Sequence, residues 1–188
     1  LRFNVGRDGN AVAALAVGLE SVAVTRVPFR GHDFAASPHN EFCFYSRTIW
    51  MNESSSVVDE RFLSIIVLFN LAVTCHHLGF SGQGNFLYKA IELYKMILSV
   101  VQEQTNDTSA PTKDVCMRVL LMAVFSNMGH IYSHFFEKRE ADVCREQLEA
   151  VMVGSNATVR CVLDPEEYST FFLNTNMGPP LGRWAPAA

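Results

Sequence analysis

The run from Phe125 to Leu148 restricts the fold more than any other part of the chain. Phe125, Met128, Gly129 and Tyr132 recur at intervals of three and four, which places them on one face of a helix. A residue as small as Gly129 lets a second helix approach closely, and Tyr132 fills the gap one turn later. After a charged turn, Glu137–Glu140, a second helix ends near Val153, with Ala141, Cys144, Leu148, Val151 and Met152 on its inner face. Two helices joined by so short a turn make a helical hairpin. The spacing predicts that Gly129 lies against a neighbouring helix with no room for a larger side chain.

The same periodicity extends over most of the chain. Phe86 to Gln104 reads as an amphipathic helix, with Leu87, Ala90, Ile91, Tyr94, Ile97, Leu98 and Val101 on one side and Lys89, Glu92, Lys95 and Gln102 on the other. Asp59 to Leu78 is a strongly apolar helix, with Gly79 as its expected C-cap. Asp114 to Phe136 is expected to be helical, with Leu121, Phe125, Met128, Tyr132 and Phe135 as its stripe. Asp164-Pro165-Glu166-Glu167 is a helix start: Asp caps, Pro tolerates the first position, and the acids suit the positive end of the dipole. That helix carries Tyr168, Phe171 and Phe172. Asn10 to Val24 also reads as a helix. Residues 25–58 differ, with Pro28, Gly31 and Pro38 as breakers and a β-prone stretch at Glu41–Met51. One or two short strands are expected there. Gln102–Lys113 reads as a polar loop, and the tail 177–188 as disordered.

These positions resemble the tetratricopeptide-repeat superfamily, in which a Trp-x2-Leu-Gly-x2-Tyr helix precedes an Ala-centred second helix. One repeat covers 114–154. A looser one covers 59–104, where Leu68, Leu71, Ala72 and Cys75 match the first helix and Ala90, Tyr94 and Ile97 the second. A half repeat at 6–24 and a capping helix at 165–176 complete the expected domain, 1–176. Arg145 stands where an aromatic is usual, and Ala72 and Gly129 are further apart than the ~34 residues of a standard repeat. The resemblance implies an all-α fold, an α-solenoid with a short insertion at about 25–58. Because the half repeat lacks its first helix, the chain is also expected to be the C-terminal part of a longer protein.

In that superfamily the first helices line a groove that binds peptides or partner proteins. Mapped by position, the groove comprises Asn70, Val73, His76 and His77, then Ser126, Asn127, His130 and His134. Burying such polar groups unpaired costs about 1–3 kcal/mol each, so a partly wet groove with accessible Asn127 and His130 is expected. A structural reading has Asn70 and Asn127 bonding across adjacent helices. A third reading makes the chain a small regulatory or metal-responsive helical protein using His130 and His134, with His76 or His77 as a further ligand.

Composition narrows the function classes. The net charge is −4 and the pI near 5.8, and no basic stripe is present to bind nucleic acid. Five cysteines at irregular spacing read as free thiols in a reducing, intracellular compartment. The apolar run Phe62–Cys75 is shorter than the ~20 residues a membrane span needs. Val115–Phe136 is long enough but contains Arg118, Asn127, His130 and His134. The chain has no Gly-x-Ser-x-Gly elbow and no dinucleotide fingerprint, and the glycine-rich loop at 79–84 lacks the lysine of a phosphate-binding loop. The expectation is therefore a non-catalytic interaction module without a cofactor.

Overall fold

Apolar residues at helical spacing dominate this chain, and helix dominates its structure. A computed structural model describes residues 24–28, 42–51, 60–104, 111–154 and 163–176. Among the described residues five helices form: α1 Glu60–Phe80, α2 Asn85–Gln104, α3 Pro111–His134, α4 Lys138–Val153 and α5 Pro165–Asn176. Two strands precede them, β1 Val24–Pro28 and β2 Arg47–Met51, paired antiparallel with Val24 opposite Met51 and Pro28 opposite Arg47. β-Branched and aromatic residues favour the ribbon, and Pro28 is tolerated at its end. Val24, assigned above to the end of a helix, instead opens β1. The rest of the expected half repeat, the middle of the Gln102–Lys113 loop and the 177–188 tail lie outside the described residues.

The chain divides into two compact units, one formed by Leu1–Gly31 with Ser46–Cys116 and the other by His32–Tyr45 with Met117–Ala188. The described part of the first unit is the β-ribbon, α1, α2 and the first turns of α3. Its core is the seam between α1 and α2. Phe69, Ala72, Val73, Tyr94 and Ile97 are completely buried there, with the Phe69 and Tyr94 rings 6.3 Å apart. The α2 stripe read from sequence is the buried face, with Leu98 at its margin. Gly79 is not a C-cap. It lies inside α1, and a Cβ there would collide with the Leu87 side chain, so its role is close approach to α2. The left-handed conformation falls instead to Gly82, at φ 102°.

The described part of the second unit is the segment 42–45 (which bends at Phe42 and precedes β2), the remainder of α3, α4 and α5. α3 begins at Pro111, three residues ahead of the expected start, with proline at the first helical position. Its most buried face runs through Leu120, Ala123, Val124, Asn127 and Ile131. The expected stripe lies to one side of that face: Met128 and Tyr132 are buried, but Leu121, Phe125 and Phe135 are only partly covered. α3 is apolar nearly all round, so spacing alone does not select its inner face. After α3, Phe136 takes φ 61° and is 85% exposed. The Glu137 N–H donates to the Tyr132 carbonyl at 2.9 Å, closing the helix as glycine-ended helices do. Ala141, Cys144 and Leu148 of α4 are buried as expected, whereas Val151 and Met152, expected on the same face, are only partly covered. Arg118 Nη1 donates to the Gly154 carbonyl at 2.6 Å, satisfying an acceptor just past the C-terminus of α4.

Two helical stretches, Glu60–Phe80 and Val115–His134, are long and apolar enough to cross a membrane by length and composition. The first is longer than the Phe62–Cys75 run considered from sequence. Both are packed against protein, with 56% and 72% of their apolar windows buried.

Candidate functional site

An asparagine on an apolar helix must find partners for a carbonyl and an amide group. In the first unit Asn70 of α1 finds both on one residue of β2. The Ile49 N–H donates to Asn70 Oδ1 at 2.9 Å, and Asn70 Nδ2 donates to the Ile49 carbonyl at 2.8 Å. Ile49 stands opposite Arg26 in the ribbon. With both its backbone groups taken by Asn70, the ladder bonds of β2 fall to its neighbours. Asn70 thus occupies the outer edge of β2. This replaces the expected bond between adjacent helices.

The second unit repeats the device twice. The Tyr45 N–H donates to Asn127 Oδ1 at 2.8 Å, and Asn127 Nδ2 donates to the Tyr45 carbonyl at 3.1 Å. The Cys43 N–H donates to Asn174 Oδ1 at 2.6 Å, and Asn174 Nδ2 donates to the Cys43 carbonyl at 2.9 Å. Cys43 and Tyr45 are two residues apart, so in extended backbone their N–H and C=O groups leave on the same edge. Asn127 from α3 and Asn174 from α5 stand along that edge as a β-strand partner would. Asn174 Nδ2 also donates to Ser126 Oγ at 2.7 Å, and Arg145 Nε donates to the Asn174 carbonyl at 3.3 Å. The clamp is itself held in place.

Side-chain contacts accompany these backbone clamps. The Phe42 ring fills the space over Gly129 where a Cβ would sit. The Arg145 guanidinium lies 4.9 Å from the centre of the same ring. The close neighbour of Gly129 is therefore the aromatic ring of an extended segment, not the helix expected from sequence. Tyr45 stacks on Phe171 at 5.1 Å with 16° between the planes, and its hydroxyl donates to Glu167 Oε1 at 2.8 Å. Glu167 is almost fully buried. Its other oxygen accepts from the Asp164 N–H at 3.2 Å, while its own N–H donates to Asp164 Oδ1 at 2.8 Å. That reciprocal pair is a capping box. The residue expected to serve the helix dipole thus also holds the tyrosine hydroxyl.

The eight positions mapped from sequence separate by neighbour. Asn70 engages β2, whereas His76 packs between Phe80, at 5.3 Å, and Tyr94 of α2, at 6.2 Å. Val73 and His77 are buried in the same unit. Ser126, Asn127 and His130 converge on the second unit's site, where the His130 ring lies 5.8 Å from that of Phe44. His134 is exposed. The expected accessibility of Asn127 and His130 is not observed: both are buried, and the chain's own segment 42–45 engages them. Burial, and secondarily the charge of His134, lower the His130 pKa from 6.5 to about 3. Among the described residues no group of three His, Cys, Asp or Glu side chains is placed to hold a metal ion.

Asn174 was not singled out in the sequence. Its signal was an amide one turn after Phe171, on the face that also carries Glu167.

A consequence for stability follows from the buried tyrosine–glutamate bond. Tyr45→Phe leaves the Glu167 carboxylate short of a donor and should lower unfolding free energy by about 1.5–3 kcal/mol. Urea denaturation of the variant measures it, and an unchanged midpoint would show that the bond contributes nothing.

No family model, curated protein or solved structure matches this chain.

Proposed function

We propose that this chain is a protein–protein interaction module. In this reading its helical pairs stack in a tetratricopeptide-like solenoid and hold extended peptide backbone through asparagine amides. The observation that carries the reading is the repeated clamp, in which Asn70, Asn127 and Asn174 each bond both backbone groups of one extended residue. Such a clamp grips backbone whatever the side chain, because every residue except proline presents the same donor and acceptor. Helices that carry it can accept an added strand, as sheet edges do in peptide recognition. The chain's own segments occupy the clamps, so a partner enters by exchange. Four described cysteines are free thiols, which supports a reducing, intracellular setting. The module acts by binding, without catalysis or cofactor.

Panning the immobilised chain against a random peptide library tests this. Selected peptides should bind at micromolar affinity or better. Asn127→Ala and Asn174→Ala should each weaken that binding by about tenfold or more, the equivalent of losing one or two hydrogen bonds, while helical circular dichroism is retained. Failure to select any peptide, or selected peptides indifferent to both substitutions, would refute the reading.

A further inference from the structure

The second unit binds more than backbone. Phe42 meets a flat slot floored by Gly129 and covered by Arg145. Phe44 meets the His130 ring. Tyr45 meets Phe171 with its ring and Glu167 with its hydroxyl. Cys43, between them, is held through its backbone. Resting on the function proposed above, we infer that Phe42–Tyr45 is an internal stand-in for a ligand. The site of α3, α4 and α5 takes from a partner protein an extended segment of the pattern aromatic–any–aromatic–tyrosine.

Three features support exchange over a fixed core role. The segment lies outside the β-ribbon, whose second strand begins at Arg47, and the clamps on Cys43 and Tyr45 come from helix side chains. A second polypeptide can present the same donors and acceptors. The pocket also selects its ligand chemically. A buried carboxylate that accepts a hydroxyl proton discriminates tyrosine from phenylalanine, because the analogue leaves it short of a donor. Gly129 admits a ring without a gap and would leave a void under an aliphatic side chain. Arg145 rewards an aromatic at the same place. Backbone clamps alone explain none of these contacts.

The test uses the intact chain and synthetic peptides spanning residues 41–47, Glu-Phe-Cys-Phe-Tyr-Ser-Arg, with Cys43→Ser so that the peptide carries no thiol. The parent peptide, a Tyr45→Phe version and a scrambled version are compared by fluorescence anisotropy. Alkylation of Cys43 in the intact chain is followed by mass spectrometry. The parent peptide should bind, the Tyr45→Phe peptide about tenfold more weakly, and the scrambled peptide not measurably. Saturating parent peptide should speed Cys43 alkylation at least about tenfold as the internal segment is displaced. A Glu167→Gln chain should lose most of the discrimination between the two binding peptides. The alkylation arm needs no variant, so it stands if Glu167→Gln does not fold.

Equal binding of all three peptides overturns the side-chain pattern and leaves the backbone-binding module intact. No binding together with unchanged alkylation overturns both. A concentration-dependent dimer in light scattering that the parent peptide dissolves would assign the site to a second copy of this chain and overturn the partner assignment.

Discussion

Gly129→Leu should lower the unfolding free energy by about 3–5 kcal/mol, the largest effect expected of a single substitution here. The Cβ alone would collide with the Phe42 ring, and Gly129 sits on a helix whose Ala123, Val124, Asn127 and Ile131 are fully buried, so the ring must leave. Expelling a buried phenylalanine costs about as much as deleting it, 3–5 kcal/mol. The ring also draws Cys43 away from Asn174 and leaves Arg145 without its aromatic face. Gly84 serves as the control, since no atom stands within 4 Å of the Cβ it would gain. Gly84→Ala should stay within about 1 kcal/mol. Urea denaturation of both variants decides the matter, and a Gly129→Leu protein as stable as the parent would remove Phe42 from the core.

Acid should weaken the fold through His130. Its folded pKa lies at about 3, below the ordinary value of 6.5, so the unfolded chain binds the extra proton first. Stability is complete above about pH 6.5 and falls as pH drops toward 3. At about 1.36 kcal/mol per pH unit, the loss from this one group reaches about 2 kcal/mol at pH 5 and on the order of 4–5 kcal/mol at pH 3. The informative measurement is a difference between the parent and a variant that lacks the imidazole. His130→Gln should flatten the dependence of unfolding free energy on pH between 6.5 and 5 by about 2 kcal/mol relative to the parent. Identical slopes would show that His130 is protonated as readily in the fold as out of it. Because Phe44 lies against His130, acid should also favour release of the segment that covers it.

The helices were legible because their signals are local. The α2 stripe, the Asp164–Glu167 start of α5 and the hairpin joining α3 to α4 each rest on residues within a few turns of one another. The inner face of α3 was not legible, because nearly every side of that helix is apolar. Asn70 and Asn127 were visible as polar interruptions that needed partners. Their partners were invisible, because an extended backbone offers the same groups at every residue and leaves no mark on its sequence. Gly129 was recognised as a point of close approach, but spacing could not say whether a helix or a ring would approach it. Glu167 was read for its place at a helix start, and its bond to Tyr45 depends on a fold that brings together residues far apart in sequence. The tetratricopeptide resemblance predicted helical pairs, and the five observed helices fit an all-α chain. It gave no hint that a segment near β2 would occupy the asparagines.

The distance along the chain between clamp and clamped residue sets an order of events during synthesis. Cys43 leaves the ribosome 131 residues ahead of Asn174, and Tyr45 122 residues ahead of Glu167. At ~5–20 residues per second that is an interval of roughly 10 s. For that time Tyr45 has no α5 to receive its ring and hydroxyl, and it is open to chaperones or to other nascent chains. A ribosome stalled before Pro165 would hold Tyr45 without its α5 partners for as long as the stall lasts.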